Sequence, residues 1–302
     1  MKAPRPYGGV VVPLVTPATP AGQPDLDALA RLVEFQAAAG VDGLLLLGTT
    51  GEGPSVPRRW RPDLLRQAVA AARGRLRLCV NLQENALADA LAAAGESFAL
   101  GAEAVCLLPP SYFPPRPPEL AAWFRAFLDA SPGPVLLYNL PSTTRVSIPL
   151  EVIGALVGHP RLAGLKDSEN DADRHAELLR RFGGRRDFSL LCGVGALMAQ
   201  GVAAGMHGIV PSVGNLIPEA CRGLVAAARG GDDSGVARHA RRMAVVAALY
   251  QEGRSLGESL AAIKALLHLR GLCSPAVFPP LLACLPAEIE ALRGAAATLL
   301  PA

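Results

Sequence analysis

The sequence lacks the features that mark several large classes of protein. No stretch reaches the roughly 18 consecutive apolar residues that a membrane-spanning helix needs. The amino-terminal apolar run is short and is broken by Pro13, which argues against a signal peptide. Arginines lie in short, scattered groups such as Arg58-Arg59 and Arg241-Arg242, without the long basic tract typical of nucleic-acid binding. We therefore expect neither a membrane nor a nucleic acid as a partner.

Patterns for metal binding and disulfide formation are also missing. The six cysteines contain no C-x-x-C pair, and the five histidines are dispersed without H-E-x-x-H or similar spacing. Cys79, Cys106 and Cys192 lie inside apolar runs, where a free thiol behaves as a small hydrophobic side chain. The sequence therefore predicts no metal site and a reducing, cytoplasmic location.

Lysine is the scarcest charged residue, since only Lys2, Lys166 and Lys264 occur among 29 lysines and arginines. Lys166 follows the apolar run Leu162–Leu165. Arginine keeps its proton at any working pH, whereas a desolvated lysine can lose it. A neutral amine can then attack a ketone and form a Schiff base. Two interpretations of Lys166 are open at this point: a Schiff-base nucleophile, or a solvated charge just past a strand.

Eight short, continuously apolar runs predict parallel strands that are covered on both faces. Helical stretches alternate with them, several with proline near the start and glycine past the end. Eight strand–helix units in succession predict an α/β fold, a (β/α)8 TIM barrel. The predicted strands are Gly9–Thr16, Gly43–Gly48, Leu76–Leu82, Ala104–Leu108, Pro134–Asn139, Leu162–Lys166, Ser189–Gly193 and Gly208–Pro211.

The last part of the chain departs from this alternation. From about Pro218 the sequence is purely helical and rich in alanine, leucine and arginine. The helix Pro218–Arg229 can complete the barrel, and the helices after it form an appendage. We therefore expect a (β/α)8 barrel over residues 1–230 and a C-terminal helical region over residues 231–302. The whole chain of 302 residues has a length at which single α/β barrels are common.

Three groups of reactive or polar residues follow predicted strands, where catalytic groups of a (β/α)8 barrel lie. The second strand ends in Gly48-Thr49-Thr50-Gly51-Glu52, the fifth in Tyr138-Asn139-Leu140-Pro141 and the sixth in Lys166. The glycine-bounded turn can present backbone amides and two hydroxyls to a carboxylate, and the tyrosine can move a proton near the lysine. Each group alone has a structural explanation, but their convergence on one face of the barrel favours an active site.

These motifs resemble those of the dihydrodipicolinate synthase / N-acetylneuraminate lyase family of class I aldolases. The resemblance includes Gly164-Leu165-Lys166-Asp167 and Pro109-Pro110-Ser111-Tyr112, and it spans essentially the whole chain. It implies a lyase that makes or cleaves a carbon–carbon bond between pyruvate and an aldehyde. The reaction would need no cofactor, because the substrate itself forms a covalent imine with the enzyme.

The resemblance also implies individual roles. Lys166 would form the Schiff base, and Tyr138 would donate and accept the proton. Thr49 would link Tyr138 to Tyr112, which would reach in from a neighbouring subunit of a homodimer or homotetramer. Other groups would hold the substrate through hydroxyls or backbone atoms, with Thr50 binding the keto-acid carboxylate. These substrate-binding residues would be Thr50, Gly48, Gly193 and Val210.

One departure from the family pattern bears on the substrate. The synthase branch carries P-S-R-T-G, whose arginine grips the aldehyde's carboxylate, whereas this chain has Pro141-Ser142-Thr143-Thr144-Arg145. Thr143, a candidate substrate-binding residue, favours a hydroxylated 2-keto acid of the 2-keto-3-deoxy sugar acid or 4-hydroxy-2-oxoglutarate type. The alternatives are 4-hydroxy-tetrahydrodipicolinate synthase and a non-catalytic keto-acid-binding barrel. Arg145 would recover the lost contact if the segment is extended, because alternate residues of a strand share a face.

Overall fold

The computed structural model describes residues 7–300, in which eight parallel strands close into a barrel. Each strand pairs with the next along the chain, and the eighth pairs with the first. This confirms the predicted fold class. Lys2 and the outer ends of the two predicted regions lie outside the described residues. The strands are β1 (Gly9–Pro13), β2 (Gly43–Leu46), β3 (Arg77–Leu82), β4 (Ala104–Leu107), β5 (Val135–Asn139), β6 (Leu162–Asp167), β7 (Ser189–Cys192) and β8 (Gly208–Ile209).

The strands are apolar throughout because each face of the barrel wall is buried. Side chains such as Leu45, Leu136 and Leu191 form a cluster inside the barrel. Their chain neighbours, such as Leu44 and Leu137, belong to a second, larger cluster between the barrel and its helices. Successive side chains of a strand point to opposite faces, so both faces must be apolar. The same alternation determines which residues at a strand end can enter the barrel.

The helices follow the punctuation expected from the sequence. The side chain of Asp25 caps the first helix by accepting from the Ala28 amide, and Gly40 ends that helix in the left-handed region. The helices are α1 (Leu26–Ala39), α2 (Arg61–Ala72), α3 (Leu87–Ala99), α4 (Pro117–Ala130), α5 (Pro141–Thr144), α6 (Leu150–Leu156), α7 (Ala172–Phe182), α8 (Met198–Ala203), α9 (Pro218–Gly230), α10 (Asp233–Gln251), α11 (Leu256–Leu269) and α12 (Pro286–Ala296). Across residues 7–300, none of them is both long and apolar enough to cross a membrane.

The C-terminal helices pack in sequence against the barrel. Helix α10 lies against α9 and also contacts α8, while α11 packs against α10 and α12 packs against α11. Helix α11 begins with a capping box in which Ser255 and Glu258 satisfy each other's backbone amides. Residues 259–267 of α11, which include Lys264, are all buried. The last helices are therefore integrated with the barrel through an apolar interface.

Candidate active site

A pocket of about 380 Å³ opens at the C-terminal ends of the strands. It collects polar side chains from several strand ends, as expected for a (β/α)8 barrel. Six of the residues predicted from the sequence line it: Thr49, Thr50, Tyr138, Lys166, Gly193 and Val210. Of the remaining predicted residues, Gly48 contributes to the turn beneath Thr49, while Thr143 and Tyr112 do not line this pocket.

Lys166 and Tyr138 are adjacent because β5 and β6 pair in a register that sets the two residues side by side. Both side chains are buried, with exposures of 4% and 2%. The amine nitrogen of Lys166 lies 3.6 Å from the centroid of the Tyr138 ring. A primary amine and a phenol thus meet inside the barrel mouth, out of bulk water.

The thiol of Cys106 also belongs to the interior of the barrel, in the strand next to β5. Burial raises the pKa of Cys106 to about 12, against the opposing effect of the positive charge on Lys166. A thiol with such a pKa stays protonated at neutral pH and is a poor nucleophile. Cys106 is therefore not a candidate nucleophile of this site.

The turn after β2 places Thr49 next to Tyr138. The Thr49 hydroxyl oxygen lies 3.4 Å from the Tyr138 hydroxyl oxygen. Leu47 and Glu52, at either end of this turn, both adopt left-handed backbone conformations, with φ of 57° and 53°. At Gly53 a side chain would collide with the carbonyl oxygen of Leu47, so the turn requires glycine there. The conformation of this turn thus depends on its own residues, through the left-handed positions and the glycine, as well as on the side chains packed around it.

Asp167 follows Lys166 and points to the opposite face, between β6 and α7. Its carboxylate accepts hydrogen bonds from Arg174 Nε at 2.8 Å and from Asn139 Nδ2 at 2.9 Å, and His175 Nε2 lies 3.4 Å away. Burial by itself raises the pKa of Asp167, but the contacts with His175, Arg174 and Asn139 outweigh it and hold that pKa below its usual range. This network fixes the strand ends that carry the lysine and the tyrosine.

The depressed pKa of Asp167 has a consequence for stability. The folded state favours the ionised carboxylate, so its contribution is present above the unfolded-state pKa and is lost as the pH falls through the folded-state value. We expect Asp167→Asn to lower the free energy of unfolding at pH 7 by about 3 kcal/mol, because it breaks a buried charge pair. Urea unfolding should also show a weaker pH dependence for this variant than for the wild type between about pH 5 and pH 3.

Asp63→Asn provides a control for this measurement, because it removes an exposed carboxylate of α2 that pairs with Arg66. This variant should keep nearly the wild-type stability at pH 7, since exposed ion pairs contribute little. Equal pH dependence in Asp167→Asn and wild type would show that Asp167 does not carry this stabilisation.

Several polar pocket residues were not predicted. Ser142, Ser168, Glu169 and Asn170 line the pocket beside the predicted residues, as does Ser212. Most of them follow β5 or β6 by a few positions, and this placement is the signal that could have identified them. The pocket lining therefore also includes hydroxyl, amide and carboxylate groups.

The segment after β5 is not extended, so the condition under which Arg145 would recover the lost contact is not met. Residues 141–144 form the single-turn helix α5, which begins at Pro141 and is closed by the Arg145 amide donating to the Pro141 carbonyl at 2.9 Å. Arg145 itself is left-handed, with φ of 60°, and is exposed. The Thr143 hydroxyl donates to the Leu140 carbonyl at 3.3 Å. Thr143 and Arg145 therefore do not lie on one face of a strand, from which both side chains could contact the same substrate.

Tyr112 lies in the segment after β4 and is 78% exposed. It packs edge-on against Phe113, which is 81% exposed, with ring centroids 4.9 Å apart. The side chain of Asn85 fixes this segment by accepting from the amides of Ser111 and Tyr112. The rings of Tyr112 and Phe113 are thus both exposed to solvent in a single copy of the chain.

Across residues 7–300, no group of three or more histidine, cysteine, aspartate or glutamate side chains is arranged to hold a metal ion. The six cysteines all lie within the described residues and are unpaired. Five of these thiols are buried, and Cys284 is half-buried.

Comparisons with known proteins agree over nearly the whole chain. The family model described as "Dihydrodipicolinate synthetase family" matches residues 6–297. A solved structure of dihydrodipicolinate synthase from Bacteroides thetaiotaomicron superposes with a TM-score of 0.93 at 31% identity, covering 98% of this chain and 99% of that one.

Curated proteins show similarity at the level of sequence. A 4-hydroxy-tetrahydrodipicolinate synthase of Anaeromyxobacter sp. (strain Fw109-5) is 34% identical over 224 residues, which is 74% of this chain and 75% of that protein. One from Sorangium cellulosum (strain So ce56) is 33% identical over 279 residues, 91% of this chain and 90% of that protein. Both carry the name of the synthase, the alternative activity, and not that of an aldolase for hydroxylated keto acids.

Proposed function

This chain belongs to the dihydrodipicolinate synthetase family and is a class I aldolase, a carbon–carbon lyase, and we propose that it works through an imine between pyruvate and Lys166. The observation that carries the proposal is the buried Lys166 amine 3.6 Å from the Tyr138 ring. The Tyr138 hydroxyl lies within 3.4 Å of the Thr49 hydroxyl. Trapping of pyruvate at Lys166 by borohydride tests the proposal directly.

The chemistry follows from the amine. Lys166 adds to the keto carbon of pyruvate, and loss of water gives a protonated imine. This imine withdraws electrons from the adjacent methyl carbon, which loses a proton to become an enamine. The enamine carbon attacks the aldehyde carbon, and the aldehyde oxygen takes up a proton supplied through Tyr138. Water then hydrolyses the imine to release the product, and cleavage is the same sequence reversed.

The turn containing Thr49 and Thr50 is proposed to hold the carboxylate of the keto acid. Thr50 lines the pocket together with Lys166. Backbone amides and hydroxyls at a tight turn form a favourable site for an anion. Anchoring the carboxylate places the keto carbon within reach of the amine and so lowers the entropic cost of attack. No cofactor is part of this proposal, because the covalent imine itself acts as the electron sink.

Two candidates remain for the aldehyde. The names of the curated relatives favour 4-hydroxy-tetrahydrodipicolinate synthase. The pocket supports a second candidate, an aldolase for a hydroxylated 2-keto acid, because Lys166 is the one cationic side chain among the described residues that line it. Glu169 lines the same pocket, but its carboxylate pairs with Arg174 at 3.4 Å and accepts from the Ser147 hydroxyl, so it adds no free charge there. Its neighbours Ser168 and Asn170 would suit hydroxyl groups.

Substrate preference is expected to respond to Thr143. A hydrogen bond to a charged group contributes about 1.5–3 kcal/mol. A guanidinium that reached the carboxylate of the aldehyde would therefore raise kcat/KM for that aldehyde by about ten- to a hundredfold. We expect Thr143→Arg to raise kcat/KM for condensation of pyruvate with aspartate semialdehyde by this factor. The measurement compares wild type and variant in that assay and in cleavage of 2-keto-3-deoxy sugar acids and 4-hydroxy-2-oxoglutarate.

The wild-type rates distinguish the two candidates. Faster cleavage of a hydroxylated keto acid than condensation of the semialdehyde would support the second candidate. Efficient semialdehyde condensation by the wild type, abolished by Arg145→Ala, would identify a synthase with a relocated arginine. That result would contradict the second candidate.

We further propose that Tyr112 completes the pocket of a second copy of this chain. Its exposed ring and its distance from its own pocket support this, and closed homo-oligomers are common among soluble enzymes. Light scattering at the assay concentration should therefore show a dimer or a tetramer. Tyr112→Phe should lower turnover without changing the mass of the assembly. A fully active monomer would contradict the proposal.

We also propose a cytoplasmic location. The support is the set of six unpaired cysteines, since an oxidising compartment favours disulfides in proteins that are exported to it.

A further inference from the structure

Lys264, in α11, is fully buried and forms an ion pair with Glu52, at the end of the turn after β2. The amine nitrogen of Lys264 lies 2.5 Å from Glu52 Oε1 and donates to the carbonyl of Ala276 at 2.8 Å. The second carboxylate oxygen of Glu52 accepts from the amide of Phe278 at 2.7 Å. One carboxylate of the barrel is thus contacted on both oxygens, by helix α11 and by the segment between α11 and α12.

Stability alone is a weak explanation for this pair. Removing two charges from water is costly, and apolar residues of similar volume often stabilise a fold as well or better. Burial raises the pKa of Glu52 and lowers that of Lys264, which reflects that cost. The chain otherwise supplies positive charge almost entirely as arginine. A compact ammonium group at this position therefore indicates a geometric requirement that a guanidinium does not meet.

The position of Glu52 indicates which part of the site the ion pair with Lys264 constrains. Glu52 ends the turn that presents Thr49 and Thr50 to the pocket, and its amide donates to the Thr49 carbonyl at 3.1 Å. Its backbone is left-handed, a conformation that non-glycine residues keep only where the surroundings impose it. The contacts with Lys264 and Phe278 supply that constraint from outside the barrel.

A second contact connects the same helices to another pocket wall. The hydroxyl of Tyr250, in α10, lies 2.8 Å from the hydroxyl of Ser212, which lines the pocket. Tyr250 is itself buried. The C-terminal helices therefore touch the pocket from two sides without any of the three residues Lys264, Ala276 and Phe278 lining it.

We propose that Glu52 and Lys264 are positioning residues through which the C-terminal helices hold Thr49 and Thr50 in their binding orientation. The effect on pyruvate binding rests on the proposed function, because that function assigns the carboxylate of pyruvate to this turn. The effect on the turn itself does not depend on the substrate. Loosening the ion pair should therefore increase the mobility of the turn and weaken pyruvate binding in the same variants.

The test uses Lys264→Met, which keeps an unbranched side chain and removes the charge. Leu266→Ala is the matched control, because Leu266 is a buried residue of the same helix that is not part of the ion pair. The double variant Glu52→Gln/Lys264→Met removes both charges and covers the case in which a lone buried carboxylate prevents folding. The readouts are hydrogen exchange of residues 47–53, the KM for pyruvate and kcat.

We expect the folded Lys264→Met and double variants to exchange faster over residues 47–53 and to have a KM for pyruvate about tenfold or more above wild type, with kcat less affected. Leu266→Ala should unfold at a lower temperature yet keep the wild-type KM and the wild-type exchange of the turn. Wild-type exchange and KM in either folded ion-pair variant would overturn the inference. If the wild type traps no pyruvate, the proposed function fails, and hydrogen exchange still decides whether the ion pair positions the turn.

Discussion

Treatment with pyruvate and borohydride should add one reduced pyruvyl group per chain, and peptide mapping should locate it on Lys166. Borohydride reduces the protonated imine to a stable secondary amine, so the adduct survives digestion. Lys166→Ala should abolish the adduct and lower turnover on the order of 10⁴-fold or more, the scale seen when a covalent nucleophile is removed. Intact-mass measurement with and without pyruvate provides the readout.

Lys166→Arg is the matched control, because arginine keeps the positive charge and much of the volume but cannot lose its proton. It should be as inactive as Lys166→Ala while retaining more of the packing against Tyr138. The other lysine within the described residues, Lys264, should carry no adduct, since its amine is occupied by Glu52 and Ala276. An adduct that persists in Lys166→Ala would eliminate the proposed mechanism.

Tyr138→Phe should preserve the fold and lower kcat by about 10²-fold or more, the usual loss when a positioned proton-transfer group is removed. The ring that packs over Lys166 remains, so pyruvate should still be trapped by borohydride, although more slowly. Steady-state kinetics and the rate of trapping separate the two effects. A turnover close to wild type would reduce Tyr138 to a packing residue of the barrel interior.

Thr49→Val serves as a companion to Tyr138→Phe. It keeps the shape of the Thr49 side chain and removes the hydroxyl that lies 3.4 Å from the Tyr138 hydroxyl. If Thr49 relays the proton, its variant should lose activity and the double variant should lose little more than Tyr138→Phe alone. Independent, additive losses would show that the two hydroxyls do not act as one unit.

The barrel could be predicted from the sequence because its signals are local. Eight apolar runs bounded by turns identify the strands, and the observed strands fall within them except that β6 extends one residue further, to Asp167. Lys166 and Tyr138 could be placed at strand ends for the same reason. Their adjacency follows from the pairing of consecutive strands, which a (β/α)8 barrel guarantees.

Contacts between distant parts of the chain could not be predicted in this way. Glu52 belongs to a recognised motif and Lys264 is one of the few lysines, yet no local pattern indicates that they meet. Asp167 likewise gains its partners from Asn139 and Arg174, on the neighbouring strand and the following helix. Such pairs depend on the positions in which the helices pack against the barrel, and these positions are determined by packing over the whole fold.

The conformation of the segment that ends at Arg145 could not be predicted for a different physical reason. A short polar segment after a strand can continue extended or turn at once, and the sequence Pro141-Ser142-Thr143-Thr144 is compatible with both. Proline at the first position of a helical turn and the Thr144 hydroxyl donating to the Leu140 carbonyl at 2.9 Å favour the turn. The choice depends on a few hydrogen bonds, which hydrophobic periodicity does not report.

The contacts of Glu52 with Lys264 and Phe278 also order events during synthesis of the chain. Domains generally begin to fold from the amino terminus as the ribosome releases them. All eight strands have emerged before α11 exists, so the nascent barrel carries a carboxylate whose permanent partners have not yet been made. The turn after β2 reaches its final geometry only once Phe278 has left the ribosome. Catalytic competence is therefore acquired only after α11 and the segment that follows it have been made.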